Sequence, residues 1–188
     1  SPAAASGTPE NIVKKSWDRI APGTEAALEI EHEGIPLTKI TIQTNTQVKN
    51  AKITVEYIEN RTEGIKEPAE KTYKYLNITE TNINETVLKK AVLRFKVSKN
   101  WIADNDIDED KIYLMRYSRG QWNRLSTKMV SINLSASPIT GNVIFDNPLI
   151  DFLKYIINSI FGFSVLAEEE YLYYEAETTG FSVFAISG

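Results

Sequence analysis

Asp104, Asp106, Asp108 and Asp110 stand at every second position of DNDIDED, residues 104–110. Alternating carboxylates can wrap hard oxygen ligands around Ca2+, and this is the sharpest metal chemistry the chain suggests. The glycine and the distal glutamate of an EF-hand loop are missing, so the plainer reading is a solvated acidic turn. Catalysis has less to work with. His32, the only imidazole, lies in the turn IEHEGIP, and no serine motif sets up a triad around it. Glu31/Glu33 and Glu168–Glu170 read as loop charges, because nothing around them singles out an acid–base couple. The chain is expected to be non-catalytic and to carry no cofactor, calcium at the acidic turn excepted.

Aromatic stacking is a second kind of chemistry. Trp17, Trp101 and Trp122 could form a platform for sugars, which makes a lectin-like, carbohydrate-binding module the alternative function. Trp101 and Trp122 stand beside apolar strand positions, which favours burial. Two coplanar, solvent-facing indoles would support glycan binding, and buried ones would end it. Four N-x-[ST] sequons, at Asn60, Asn77, Asn84 and Asn133, lie in or beside expected turns. Roughly two would arise by chance in a chain this rich in Asn, Ser and Thr.

The totals exclude other classes. With no cysteine and one histidine, disulfides, thiol catalysis and Cys/His zinc sites are all ruled out. A net charge of −4, with lysines interspersed among glutamates, gives no electrostatic reason to bind nucleic acid or an anionic membrane. A chain of 188 residues fits one domain with a real core. Residues 1–11, SPAAASGTPEN, are small and polar and read as a linker rather than the apolar stretch of a secretory signal. Residues 12–188 read as a single domain.

The elements that must position these groups are strands. WDRIAPG leads to a Pro-Gly turn. LEIEH, TKITIQT and AKITVEYI then alternate apolar and polar residues, placing Leu28/Ile30, Ile40/Ile42 and Ile53/Val55/Tyr57 on one face. KTYKYLNI alternates Tyr73/Tyr75, and AVLRFKV alternates Leu93/Phe95/Val97. DKIYLMRYS and QWNRLST read as a hairpin joined at Arg119-Gly120. KMVSINL, NVIF, EYLYYEAE and GFSVFAIS supply later strands, and Ile83–Lys90 reads as a short helical turn. So many short strands predict an all-β, antiparallel β-sandwich.

Three segments together carry a resemblance. FKVSKNWI (95–102), IYLMRYSRGQWNRLST (112–127) and TTGFSVFAISG (178–188) are similar to the PGF-pre-PGF domain of archaeal cell-surface proteins. In that family a strand ends in K-x-W-I, a variable acidic turn follows, then an L-x-R-Y…W-x-x-L-x-T hairpin, and the domain closes on G-F-S-x-F-A-I. WDRIAPG and TYKYLNI also fit, so the resemblance covers about residues 12–145 and 170–188. It implies a structural or adhesion module, S-layer-associated and extracellular, whose partners are other surface proteins or glycans, and it carries over no catalytic residue. Anchoring in such proteins runs through a Thr-rich linker and a PGF tail processed by an archaeosortase, a segment outside these residues. On a surface protein of this kind, Asn60 and Asn84 are the sequons best placed for N-glycosylation.

Residues 146–169 look inserted relative to that pattern. They contain LIDFLKYIINSIFGFSVLA (149–167), in which Leu149, Phe152, Leu153, Ile156, Ile157, Ile160 and Phe161 follow helical i, i+3, i+4, i+7 spacing. Asn147 suits the N-cap, Pro148 the first helical position and Gly162 the end. About four turns span roughly 20 Å, well short of a bilayer, so no membrane span is expected in this chain. The amphipathic helix is expected to cover an open part of the sandwich. Ile156→Asp should therefore destabilise the isolated domain by several kcal/mol in a thermal melt, because a charge enters an apolar contact. An unchanged melt with loss of self-association in light scattering would make the stripe an interface instead.

Overall fold

A computed structural model describes residues 11–59, 63–130 and 170–188. The expected helix and insertion at 146–169, the NVIF strand and the sequons Asn60 and Asn133 lie outside the described residues. Within them the chain forms an antiparallel β-sandwich, as its alternation predicts. The strands are β1 (Ile12–Ile20), β2 (Glu25–Glu29), β3 (Leu37–Thr44), β4 (Val48–Ile58), β5 (Thr72–Thr81) and β6 (Leu88–Ser98). β7 (Tyr113–Ser118), β8 (Gln121–Arg124), β9 (Thr127–Val130), β10 (Tyr171–Thr178) and β11 (Val183–Ser187) complete them. One sheet has six strands in the order β1-β4-β5-β11-β7-β8, and the other has five, β2-β3-β6-β10-β9.

The inner faces interlock as period-two strands must. Ile53, Val55, Leu76, Ile78, Leu114, Phe184 and Ile186 from the larger sheet are buried against Leu28, Ile40, Ile42, Leu93, Phe95 and Ala176 from the smaller. Phe95 stacks on Tyr174 with ring centroids 5.5 Å apart. Each large side chain of this set contributes about 1.5–3 kcal/mol of apolar burial. The hairpin turn stands where Arg119-Gly120 placed it, with φ of 52° and 79°. Two successive positive φ values make the primed turn whose twist matches the flanking strands.

Three local expectations are corrected. Residues 83–90 hold no helix: Asn84 Oδ1 accepts from the amides of Thr86 and Val87, closing a turn, and β6 already runs from Leu88. The helix α1 instead covers Lys99–Asp104, capped by Ser98, whose Oγ accepts from the Trp101 amide. In β5 the inward positions are Leu76 and Ile78, while Tyr75 lies on the outer face.

That outer face is not wet. Residues 63–71 of the connection from β4 to β5 reach β8, at the far edge of the larger sheet. Ile65 is buried in it, the carbonyl of Lys66 accepts from Trp122 Nε1 at 2.6 Å, and Glu70 pairs with Arg124. Beneath this strap Tyr75 and Tyr117 pack on Trp122, at 6.3 and 5.3 Å between centroids. Ala185 faces outward yet is 0% exposed. A further crossing closes the far edge: the chain bends at Leu125-Ser126, so that β8 in one sheet runs on into β9 in the other. There Thr127 Oγ1 accepts from the Leu114 amide at 3.1 Å. Ala185→Leu should cost about 1–3 kcal/mol in urea unfolding, because Ala185 is fully buried beside Tyr75 and Met115 and three more carbons would overpack it. On an open outer face the same change would be near neutral.

Candidate functional site

The sandwich has two unlike ends. Asn11, Gly188 and the connections 30–36, 63–71 and 99–112 lie toward one of them. The connections 21–24, 45–47, 82–87, 119–120 and 179–182 meet at the other, which among the described residues is built from turns. At the turn end a cleft of about 330 Å3 opens between the sheets, lined by Lys89, Lys90, Arg116, Ser118, Asn123 and Thr179 among others.

Arg116 is the unusual member. It stands opposite Phe184, which in turn faces Leu76 across β5, so register puts the arginine on the inner face of the sheet. Its side chain is 12% exposed. Burying a guanidinium costs several kcal/mol unless it is paired and hydrogen-bonded. Part of that cost is offset by Glu85, on the 82–87 turn, whose Oε1 accepts from Nη2. No protein acceptor among the described residues reaches Nε. Gly180 makes room for the group: a Cβ built there would lie 2.6 Å from Glu85 Oε1 and 2.8 Å from Arg116 Cζ. The hydrogen bond and charge of Arg116 hold the Glu85 carboxyl below its ordinary value. Burial raises that of Glu80, against the pull of its own backbone and of Arg116.

The rest of the cleft is held by its own hydrogen bonds. Asn123 Nδ2 donates to Ser118 Oγ at 3.1 Å and to the Gln121 carbonyl at 3.1 Å. Thr178 Oγ1 donates to the Gly180 carbonyl at 2.9 Å, and Lys90 pairs with Glu177 at 2.6 Å.

The residues singled out from sequence lie elsewhere. Asp104 ends α1, Asp106 has a φ of 54°, Asp108 caps a short 3-10 turn at Glu109–Lys111 and Asp110 lies within it. These four carboxylates do not converge: among the described residues no three or more potential metal ligands come together. The segment is tied down by other means. Tyr174, its hydroxyl pushed above the ordinary range by burial and by the charges of Glu109 and Asp110, donates to the Glu109 carbonyl at 3.0 Å. Lys71 Nζ donates to the Asn105 carbonyl at 2.9 Å. His32 is half-buried, and its Nδ1 accepts from the Gly34 amide at 3.1 Å.

The tryptophans are dispersed. Trp17 is on β1 and Trp122 on β8, opposite edges of one sheet, while Trp101 on α1 packs against Tyr73 at 5.0 Å. Asn84 sits exposed in its turn. Asn77 departs from expectation, lying mid-strand in β5, half-buried, with Nδ2 donating to Glu56 at 3.4 Å. Arg116, Lys89 and Glu85 were not among the expected site residues. The available signal was phase: in YLMRYS the arginine falls two residues after the inward Leu114.

No family model matches this chain, and no curated protein or solved structure is significantly similar to it.

The charge network gives the fold a pH dependence. Burial would raise Glu175, but the hydrogen bonds and charges of Arg94 and Lys128 outweigh it and hold the carboxyl below its ordinary value. With Glu85 and Glu175 both lowered, their stabilisation is complete above the ordinary carboxylate range near pH 4.3. It is lost as pH falls through the lowered values. The raised Glu80 acts in the opposite direction. The urea midpoint should therefore fall on acidification from about pH 5 to pH 3, and Glu175→Gln should flatten that slope.

Proposed function

We propose that this domain is a non-catalytic structural or adhesion module of an archaeal cell-surface protein, anchored through a segment outside these residues. The cell-surface setting rests on the resemblance of the K-x-W-I, L-x-R-Y…W-x-x-L-x-T and G-F-S-x-F-A-I elements to the PGF-pre-PGF domain. The observation that carries the modular role is the division of labour between the two ends. Asn11, Gly188 and the long connections lie toward one end, and the turn end with its polar cleft lies opposite. A module that holds or meets a neighbour needs that geometry.

The motif residues support this reading physically. Leu114, Phe184, Ala185 and Ile186 build the core and the strap contact, and Arg116 and Gly180 meet at the turn end. Their roles are to hold shape and present a surface. The indole route to glycan binding draws no support from positions at opposite sheet edges. Among the described residues no helix is long and apolar enough to cross a membrane.

The test is location in the organism that makes the protein. Brief protease treatment of intact cells should release peptides from the turn end, 82–87 and 119–120 included, while a cytosolic marker stays whole. A domain recovered intact from the cytosol, protected until the cells are lysed, would overturn the proposal.

A further inference from the structure

The two sequons within the described residues are held in opposite ways. Asn77 lies in the middle of β5, facing Glu56 of β4 on one side and Val183 of β11 on the other. It is half-buried, and its Nδ2 donates to Glu56 Oε2 at 3.4 Å. Ile78, the middle residue of that sequon, is 1% exposed and fixes the strand in the core. An enzyme closing around Asn77 and Thr79 meets paired backbone on both sides.

Asn84-Glu85-Thr86 belongs to no strand. All three residues are exposed, in the turn between β5 and β6. Buried Ile83 anchors the turn, and the Asn84 carbonyl fixes its backbone by accepting from the amides of Val87 and Leu88 at 3.0 and 2.9 Å. The side-chain carboxamide is fixed as well. Its Oδ1 accepts from the Thr86 hydroxyl at 2.6 Å and from the Thr86 and Val87 amides at 3.1 and 3.2 Å. The reverse orientation would set an NH2 against three donors, so oxygen faces the turn. A planar carboxamide then aims its nitrogen the other way. Nδ2 has no acceptor among the described residues.

We infer that Asn84 is an N-glycosylation site of the folded domain and that Asn77 stays unmodified. The sequon supplies the amide nitrogen and, two residues on, the hydroxyl that the modification requires. The co-substrate is a glycan carried on a lipid phosphate. Nδ2 bonds to the anomeric carbon of that glycan, and the bond from this carbon to the phosphate oxygen breaks. The lipid phosphate leaves with the bonding electron pair. One Nδ2 proton passes to a base of the transferase, and no oxidant or reductant enters. The modified side chain keeps its Oδ1, so the hydrogen bonds that close the turn survive. The inference rests on the surface-module reading, because sequons are modified on secreted chains. It places a carbohydrate at the end of the module opposite Asn11 and Gly188.

The experiment purifies the full chain from the organism that makes it, with surface and cytosolic fractions kept apart. Trypsin cuts after Lys74 and Lys89 and yields one peptide, residues 75–89, that carries both sequons. Electron-transfer fragmentation in the mass spectrometer should place a glycan mass on Asn84 and none on Asn77. Thr86→Ala should abolish the modification with Asn84 still in place, and Thr86→Ser should retain it. Thr86 is exposed, so neither substitution disturbs the core.

A bare Asn84 on chains from the surface fraction would overturn the inference and leave the surface-module reading standing. A glycan on Asn77, or one that persists on Asn84 in the Thr86→Ala chain, would overturn it equally. A chain found only in the cytosol would sink the surface-module reading, and the modification with it.

Discussion

The structure turns on where its last strand goes. β11 closes the chain yet lies in the middle of the larger sheet, between β5 and β7, which lie far before it in sequence. Phe184, Ala185, Ile186 and Ser187 are all 0% exposed. A strand of an antiparallel sandwich normally keeps one face wet. Burial on both faces requires a third layer, and the strap from β4 to β5 supplies it. The indole N–H of Trp122 and the carboxylate of Glu70 fix that layer at β8, beyond the strands it covers. Pairings this distant in sequence are slow to form, because the loops must close before the contacts reward them.

The placement of β11 also sets the chemistry of the turn end. Pairing of Phe184 with Arg116 fixes the arginine's phase, and a one-residue slip would turn its guanidinium out to solvent. In the observed register Gly180, just ahead of β11, passes under the guanidinium, where a side chain would collide with it. The arginine and glycine of two motifs well separated in sequence thus meet at one contact. Glu85 completes it from a third turn.

Much of the fold was legible because alternation reports one-sided burial. Ile40/Ile42, Ile53/Val55 and Leu93/Phe95/Val97 all face inward as their spacing requires. Where both faces are covered, alternation loses its meaning. In β5 the aromatic run Tyr73/Tyr75 suggested the core face, whereas the smaller Leu76 and Ile78 fill it and Tyr75 packs under the strap. The stretch before β6 has helical composition, but Asn84 captures the amides that a helix would use. Asp104 to Asp110 alternate in sequence without alternating in space, because a helix end and a 3-10 turn replace the extended backbone that spacing assumed. The turn-end cleft was the least legible part. Its lining comes from four separate segments, and no local pattern announces that they converge.

The outer face of the smaller sheet differs from the turn end. It is polar, but its charges answer one another across strands: Arg94 with Glu175, Lys90 with Glu177 and Lys39 with Glu29, each at 2.6 Å. Exposed pairs of this kind add little stability each, yet they leave a face with little unmatched charge to attract a ligand. The larger sheet's outer face is closed by the strap, and at the β1/β2 edge Lys15 Nζ donates to the Ala27 carbonyl at 2.6 Å. The opposite end is taken up by long connections, with Lys99 bonded to Glu170 at 2.7 Å. At the turn end an inward guanidinium is bonded through Nη2 to Glu85, and its buried Nε meets no acceptor among the described residues. An apolar residue at position 116 would fill the inner face without the cost of desolvating that charge.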